Sequence, residues 1–165
     1  MDYSVIRQSI KSGDVVAFTH RGLKSWSDME SQIVRMATRS EFSHVGILWR
    51  VVSRVFCIEA VVPEVRVFPL SSFEEFYLLP IEKELSEDTI DYALSRIGEK
   101  YSKLEAIKGY FGLNKNNNSW QCAELVKSIL IREGICIPGK DTPTDVVRGL
   151  METFRIPLTL INNRE

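Results

Sequence analysis

Three side chains in this 165-residue chain have the chemistry of a nucleophile, a base and an orienting acid: Cys122, His44 and Glu59. With Ser119 as cap, a helix is expected over Trp120 to Glu133, closed by Gly134. Cys122 then lies in its first turn, beside unpaired amides and the positive end of the helix dipole, where a thiolate is favoured over a thiol. A lone cysteine is more often a small buried hydrophobe. That is the reading for Cys57, inside an apolar strand, and for Cys136, between isoleucines; both are expected in the core.

His44 opens a strand as SHVGIL, and histidine is the side chain whose ordinary pKa suits proton transfer near neutrality. Its plain alternative is a satisfied histidine at a strand end. Gly46 beside it leaves room for another backbone or a substrate. Glu59 ends the next strand as CIEA. If the two strands form a hairpin with Val52-Ser53 as a two-residue turn, opposed positions have numbers with an odd sum. His44 and Glu59 then share a face, where the carboxylate can hold the imidazole and fix its tautomer. The competing reading is a glutamate at a sheet edge facing water.

These residues need elements to hold them. Ser12-Gly13-Asp14 signals a turn before a short strand, Val15 to Phe18. Met29, Ile33, Val34, Met36 and Ala37 recur at helical spacing between Ser27 and Arg39. SHVGILWRV, RVFCIEAVV, EVRVFPL and EFYLLPI then read as strands, being short and rich in β-branched and aromatic residues. A helix is expected from Ser86 through Ile97, ended by Gly98, and another from Lys103 to about Phe111. Thr142-Pro143-Thr144-Asp145 starts a further helix, and Phe154 to Leu160 is the expected last strand. The fold class is α+β: a mixed antiparallel sheet with helices at its ends and on one face.

Composition narrows the function. Hydrophobic residues are 44% and charged residues 26%, the balance of a globular protein, and a single domain over residues 1–165 is expected. A net charge of -1 gives no global field for nucleic acid or anionic membranes, and Arg35, Arg39 and Arg50 read as solvated. Three cysteines without a CxxC pair argue against a disulfide framework and for a reducing compartment. Two histidines without an HExxH arrangement give zinc little to build on, so no metal or cofactor is expected. No signal peptide or membrane span is read, and the expected location is cytoplasmic. His20 is assigned to the surface, and the polar run from Asn114 to Ser119 to an exposed loop.

Gly13-Asp14-Val15-Val16, Ser43-His44-Val45-Gly46-Ile47, Ile58-Glu59-Ala60, Gly98-Glu99-Lys100-Tyr101, Gln121-Cys122-Ala123-Glu124-Leu125-Val126 and Thr142-Pro143 follow one another. That order, from about Gly13 to about Val147, resembles the circularly permuted branch of the NlpC/P60 papain-like superfamily. The resemblance is in particular to its bacterial YiiX-like and poxvirus members, and the lecithin retinol acyltransferase group is a more distant relative. The resemblance implies a chain in which the histidine-bearing sheet precedes the cysteine-bearing helix. It implies Cys122 as nucleophile, His44 as base, Glu59 as the polar third residue and Tyr101 as a tyrosine set beside the nucleophile. A half-buried aromatic after a turn is the plainer reading of Tyr101. The stretch from Tyr110 to Ser119 is long and polar for the family, so specificity does not carry over.

The expected activity is cysteine-dependent hydrolysis or acyl transfer on an amide or ester, with a small-molecule, lipid or peptide substrate and neither nucleic acid nor an integral membrane segment. Trp49 to Phe56 and the Phe73-Phe76-Tyr77 cluster are candidates for an acyl groove or for core. The rivals are a binding module of the same fold without turnover, a peptidoglycan peptide hydrolase delivered to the wall, and a redox-sensing cysteine.

Overall fold

The computed structural model describes residues 1–19, 41–101 and 120–163. Its strands are β1 (Val15–Phe18), β2 (His44–Val51), β3 (Arg54–Ala60), β4 (Val65–Pro69), β5 (Glu75–Leu79) and β6 (Thr159–Asn162). The described helices are α1 (Tyr3–Ile6), α2 (Glu87–Ser95), α3 (Cys122–Arg132) and α4 (Pro143–Phe154), with a 3-10 turn at Leu70–Ser72. All six strands pair antiparallel in the order β4-β3-β2-β1-β5-β6. The expected α+β class is what the structure has. His20, the helix between Ser27 and Arg39, the helix from Lys103, the Tyr110–Ser119 stretch and Ser119 itself lie outside the described residues.

Strand alternation divides the interior in two. Val15, Ala17, Val45, Ile47, Ile58, Ala60 and Leu79 face α3 and α4, whose Leu125, Val126, Ile129, Val146 and Leu150 complete the larger core. Val16, Phe18, Leu48, Cys57, Phe76 and Leu78 face the opposite way, onto Tyr3, Ile6, Ile10, Leu70 and Phe73. β1 is buried on both faces, which is why its sequence is an unbroken apolar run. Phe73 and Phe76 belong to this second core, whereas Tyr77 alternates to the first, so the cluster does not line one groove.

Local chemistry sets the helix ends. Thr142 caps α4 by accepting from the Asp145 amide at 3.1 Å and donating to its carboxylate at 2.8 Å, with Pro143 in the first turn. Ser86 caps α2, and its own amide and hydroxyl donate to the Glu133 carboxylate at 2.9 and 2.8 Å. These donors, Thr89 and Lys83 hold Glu133 down at about 2, against an ordinary value of 4.5. A group depressed in the folded state stabilises above its unfolded pKa and loses that contribution as pH falls through the folded one. The Tm advantage of the native protein over Glu133→Gln is therefore expected to be full above about pH 5 and to fade towards pH 2. Thermal melts of both proteins across that range check it; a pH-independent difference would rule it out.

Four expectations are corrected here. The last strand is Thr159–Asn162 instead of Phe154 to Leu160: α4 runs on through Phe154 because Met151 and Phe154 continue its apolar face onto the core. Arg155 then turns the chain with φ 52°, and Pro157 has no amide to give a ladder. Cys136 is exposed, because the extended chain after Gly134 alternates and turns Ile135 and Ile137 inward. Arg50 is no solvated charge; its guanidinium donates to the carbonyls of Gln8, Ile10 (3.0 Å) and Val52 (3.1 Å), pinning the chain after α1. The helix from Ser86 ends at Ser95, two residues short of Ile97, and Gly98 takes the left-handed φ of 84° in the turn beyond.

Candidate active site

Gln121, in extended conformation, occupies the cap position of α3, so Ser119 is not the cap; Cys122 is the first helical residue. Gln121 makes no capping hydrogen bond with its side chain. The Ala123 amide, one of the donors a cap would satisfy, points at the Cys122 sulfur instead. The apolar positions of α3, Ala123, Leu125, Val126, Ile129 and Leu130, bury the helix on the sheet and fix where its first turn lands. Cys122 itself is only 8% exposed.

The β2–β3 hairpin has the expected two-residue turn, with Val51 opposite Arg54 and Ile47 opposite Ile58. Its odd-sum register puts His44 diagonal to Glu59 on one face, and His44 Nε2 lies 2.7 Å from Glu59 Oε2. Both are buried, at 3% and 1% exposure, and the imidazole stacks on Phe18 with ring centres 5.5 Å apart. The other Glu59 oxygen accepts from Arg66 Nε at 2.9 Å and Nη2 at 2.8 Å, Arg66 being its direct partner on β4. A buried carboxylate is costly unpaired, and this one has a partner on each oxygen.

Alternation places His44 and Glu59 on the face away from α3, yet the Cys122 sulfur is hydrogen-bonded to the imidazole. The sheet itself resolves this. The β2–β3 ladder begins only at Ile47–Ile58, whereas β2 continues to His44 paired with β1 and β3 continues to Ala60 paired with β4. In the gap beyond the ladder's end, the Val45 amide donates to the Cys122 sulfur. Helix start and opened hairpin meet there, and thiol, imidazole, carboxylate and guanidinium follow one another: Cys122, His44, Glu59, Arg66.

The charges reinforce one another. Burial opposes a charged His44, but the hydrogen bonds and charges of Cys122 and Glu59 outweigh it and raise the ring to about 10. Burial likewise opposes a Cys122 thiolate; His44 and the Val45 and Ala123 amides outweigh it and hold the thiol below its ordinary range. Glu59 is kept below the carboxylate range, against burial, by His44 and then Arg66. The arrangement can therefore hold a thiolate–imidazolium pair at neutral pH. Cys57 is the contrast: burial pushes its thiol well up, and it sits against Gly46 in the second core. What comes close at Gly46 is this cysteine, since a Cβ there would stand 2.3 Å from its sulfur.

Tyr101 reaches the same region from the other side. Its amide donates to Pro63 at 2.9 Å and it bridges in parallel to Trp120, two residues before Cys122. Burial, with the nearby Cys122 charge, pushes its hydroxyl upward, so the phenol stays neutral. Arg66 has no local signal of its own in the sequence. A buried Glu59 calls for a cation, and the alternation of EVRVFPL would have offered Arg66 once β3–β4 pairing was assumed. Among the described residues, no group of three or more His, Cys, Asp or Glu is placed to hold a metal ion. Among them, too, no helix is long and apolar enough to cross a membrane.

No family model and no curated protein matches the chain. Among solved structures, the metalloprotein YiiX from Escherichia coli O157:H7 is similar, with a TM-score of 0.58 and 20% identity. The match covers 93% of this chain and 88% of that one. At this identity the likeness is one of fold: the chain has a YiiX-like α+β fold.

Proposed function

We propose that this YiiX-like domain is a papain-like cysteine hydrolase or acyltransferase of the permuted NlpC/P60 type, acting on an amide or ester through an acyl-thioester. The observation that carries this reading is the unbroken line from the Cys122 sulfur at a helix start through His44 to Glu59. In the proposed cycle the Cys122 thiolate attacks the carbonyl carbon, forming the C–S bond and moving the carbonyl electron pair to oxygen. The Cys122 amide, at the start of α3, is the natural donor for that oxyanion. Collapse expels the amine or alkoxide, which takes its proton from the His44 imidazolium. His44 then accepts a proton from water or another acceptor, whose oxygen or nitrogen attacks the thioester and returns the thiolate. Glu59 holds Nε2, leaving Nδ1 for this traffic. Tyr101 borders the nucleophile as a neutral phenol and helps shape the carbonyl site. Lipid-linked and peptide acyl groups are both compatible substrates.

The test uses p-nitrophenyl esters of acetate and of longer acyl chains with the intact protein. A rapid p-nitrophenol burst and an acyl adduct mapped to Cys122 by mass spectrometry are expected. Exposed Cys136 serves as the accessible control and buried Cys57 as the shielded one. An adduct distributed as thiol exposure dictates, with none enriched at Cys122, sinks the enzyme reading in favour of a binding module. Reversible oxidation of Cys122 that does not depend on His44, without acylation, would point to redox sensing.

A further inference from the structure

We propose that Arg66 is a positioning residue of this site, clamping the Glu59 oxygen that His44 does not use so that Glu59 stays ionised and aimed at the imidazole. The inference rests on the proposed role of Cys122, His44 and Glu59 and adds a fourth member.

Its geometry is that of a clamp. Glu59 is 1% exposed, and Arg66, at 41%, reaches in from the surface with Nε and Nη2 both on Oε1. Direct opposition of the two residues on β3 and β4 fixes the approach, and the guanidinium lies 4.6 Å from the centre of the Phe68 ring, two residues along the same face. Arginine thus has one face against an aromatic ring and two donors on one oxygen, a geometry lysine cannot copy.

The consequence follows from what a buried carboxylate does with a single partner. With His44 alone, Glu59 can be neutralised by taking a proton, and a neutral acid no longer stabilises the imidazolium. The groups facing Glu59 are His44 from β2, Arg66 from β4 and Cys57 from its own strand, with Cys122 of α3 acting through His44. The Cys57 thiol is neutral, so Arg66 is the permanent cation in the set. Losing it favours protonation of Glu59 and weakens the field that holds the thiolate, and both effects move thiolate formation to higher pH.

Alkylation by iodoacetamide reads this without a substrate. Its rate at each cysteine is followed by mass spectrometry from pH 4 to 10 in the native protein, Arg66→Gln and Arg66→Lys. The native Cys122 midpoint is expected below the ordinary thiol range. In Arg66→Gln it is expected to rise by roughly 0.5–1 pH unit with the plateau rate unchanged. Arg66→Lys keeps the charge without the paired donors, and its midpoint is expected between the two. The Cys136 profile should not move in any of them. Urea titration establishes that each variant is folded, and if Arg66→Gln is not, the lysine variant gives the reading. A folded variant of lower stability with an unmoved Cys122 midpoint overturns the assignment and leaves a plain cross-strand ion pair. A native Cys122 that titrates in the ordinary thiol range overturns both the assignment and the activity proposed above.

Discussion

His44→Gln is expected to lower the rate of Cys122 acylation by p-nitrophenyl acetate at pH 7 by roughly 10²–10⁴, the usual worth of a positioned acid–base group, here through loss of the imidazolium that holds the thiolate. Glutamine is the informative replacement because its amide can still donate to Glu59 Oε2, which His44 now holds at 2.7 Å in a buried setting. Alanine would leave that carboxylate short of a partner and confuse lost chemistry with lost stability. The pH dependence should change shape as well as height. In the native protein the thiol is held below its ordinary range, so the rate is expected to be flat across neutrality. It should fall at acid pH as the thiolate takes a proton, and again as pH rises through about 10, where His44 gives up its proton. In the variant the imidazolium is gone and the buried sulfur reverts to a thiol, so the rate should climb steadily from pH 6 to 9. Stopped-flow measurement of the p-nitrophenol burst across that range decides it. Equal rates at pH 7 in folded His44→Gln and native protein would remove His44 from the mechanism.

The second large effect is structural and lies two residues away. Gly46→Ala places a Cβ 2.3 Å from the Cys57 sulfur and 3.3 Å from the Ile58 carbonyl oxygen. Cys57 is fully buried in the second core, so its sulfur has no free volume into which to turn. The cost of such overpacking is about 1–3 kcal/mol. Because Cys57 and Glu59 share a strand face, a shift of β3 that relieved the clash would also draw Glu59 away from His44. Cys57→Ala removes the atom that clashes, and the remaining contacts are the Ile58 oxygen and Glu59 Cβ at 3.5 Å. The double variant should therefore be more stable than the sum of the two single losses, a coupling that urea denaturation of all four proteins measures directly. Strict additivity would mean that Gly46 is not set by Cys57.

Much of the site was legible because strand parity is a rigid rule. Once Val52-Ser53 is read as a two-residue turn, the shared face of His44 and Glu59 follows from their numbers alone. Thr142 and Ser86 were readable as caps because their signals are local. What escaped depends on distant parts of the chain. Arg66 becomes a partner only through the pairing of β3 with β4, and Arg50 only through the carbonyls following α1, a helix too short to announce itself by periodicity. For the cap of α3, serine is the stronger local signal. Here an extended glutamine takes the position, and the sulfur receives an amide that a serine oxygen would otherwise accept. The apolar neighbours of Cys136 suggest burial, whereas alternation beside two inward isoleucines turns it outward.

The opened end of the β2–β3 ladder also bears on the order in which the site comes into being. His44, Glu59 and Arg66 lie on three consecutive strands of a meander, with few residues between them, and loops this short close at small entropic cost. The sulfur arrives from much further along the chain, on a helix that docks against the sheet those strands have made. Until α3 is seated, Cys122 lacks the imidazole and the Val45 amide that lower its pKa, and it is an ordinary thiol. In the proposed mechanism, nucleophilicity is thus withheld from the nascent and partly folded chain, and the sulfur becomes reactive only in the finished fold.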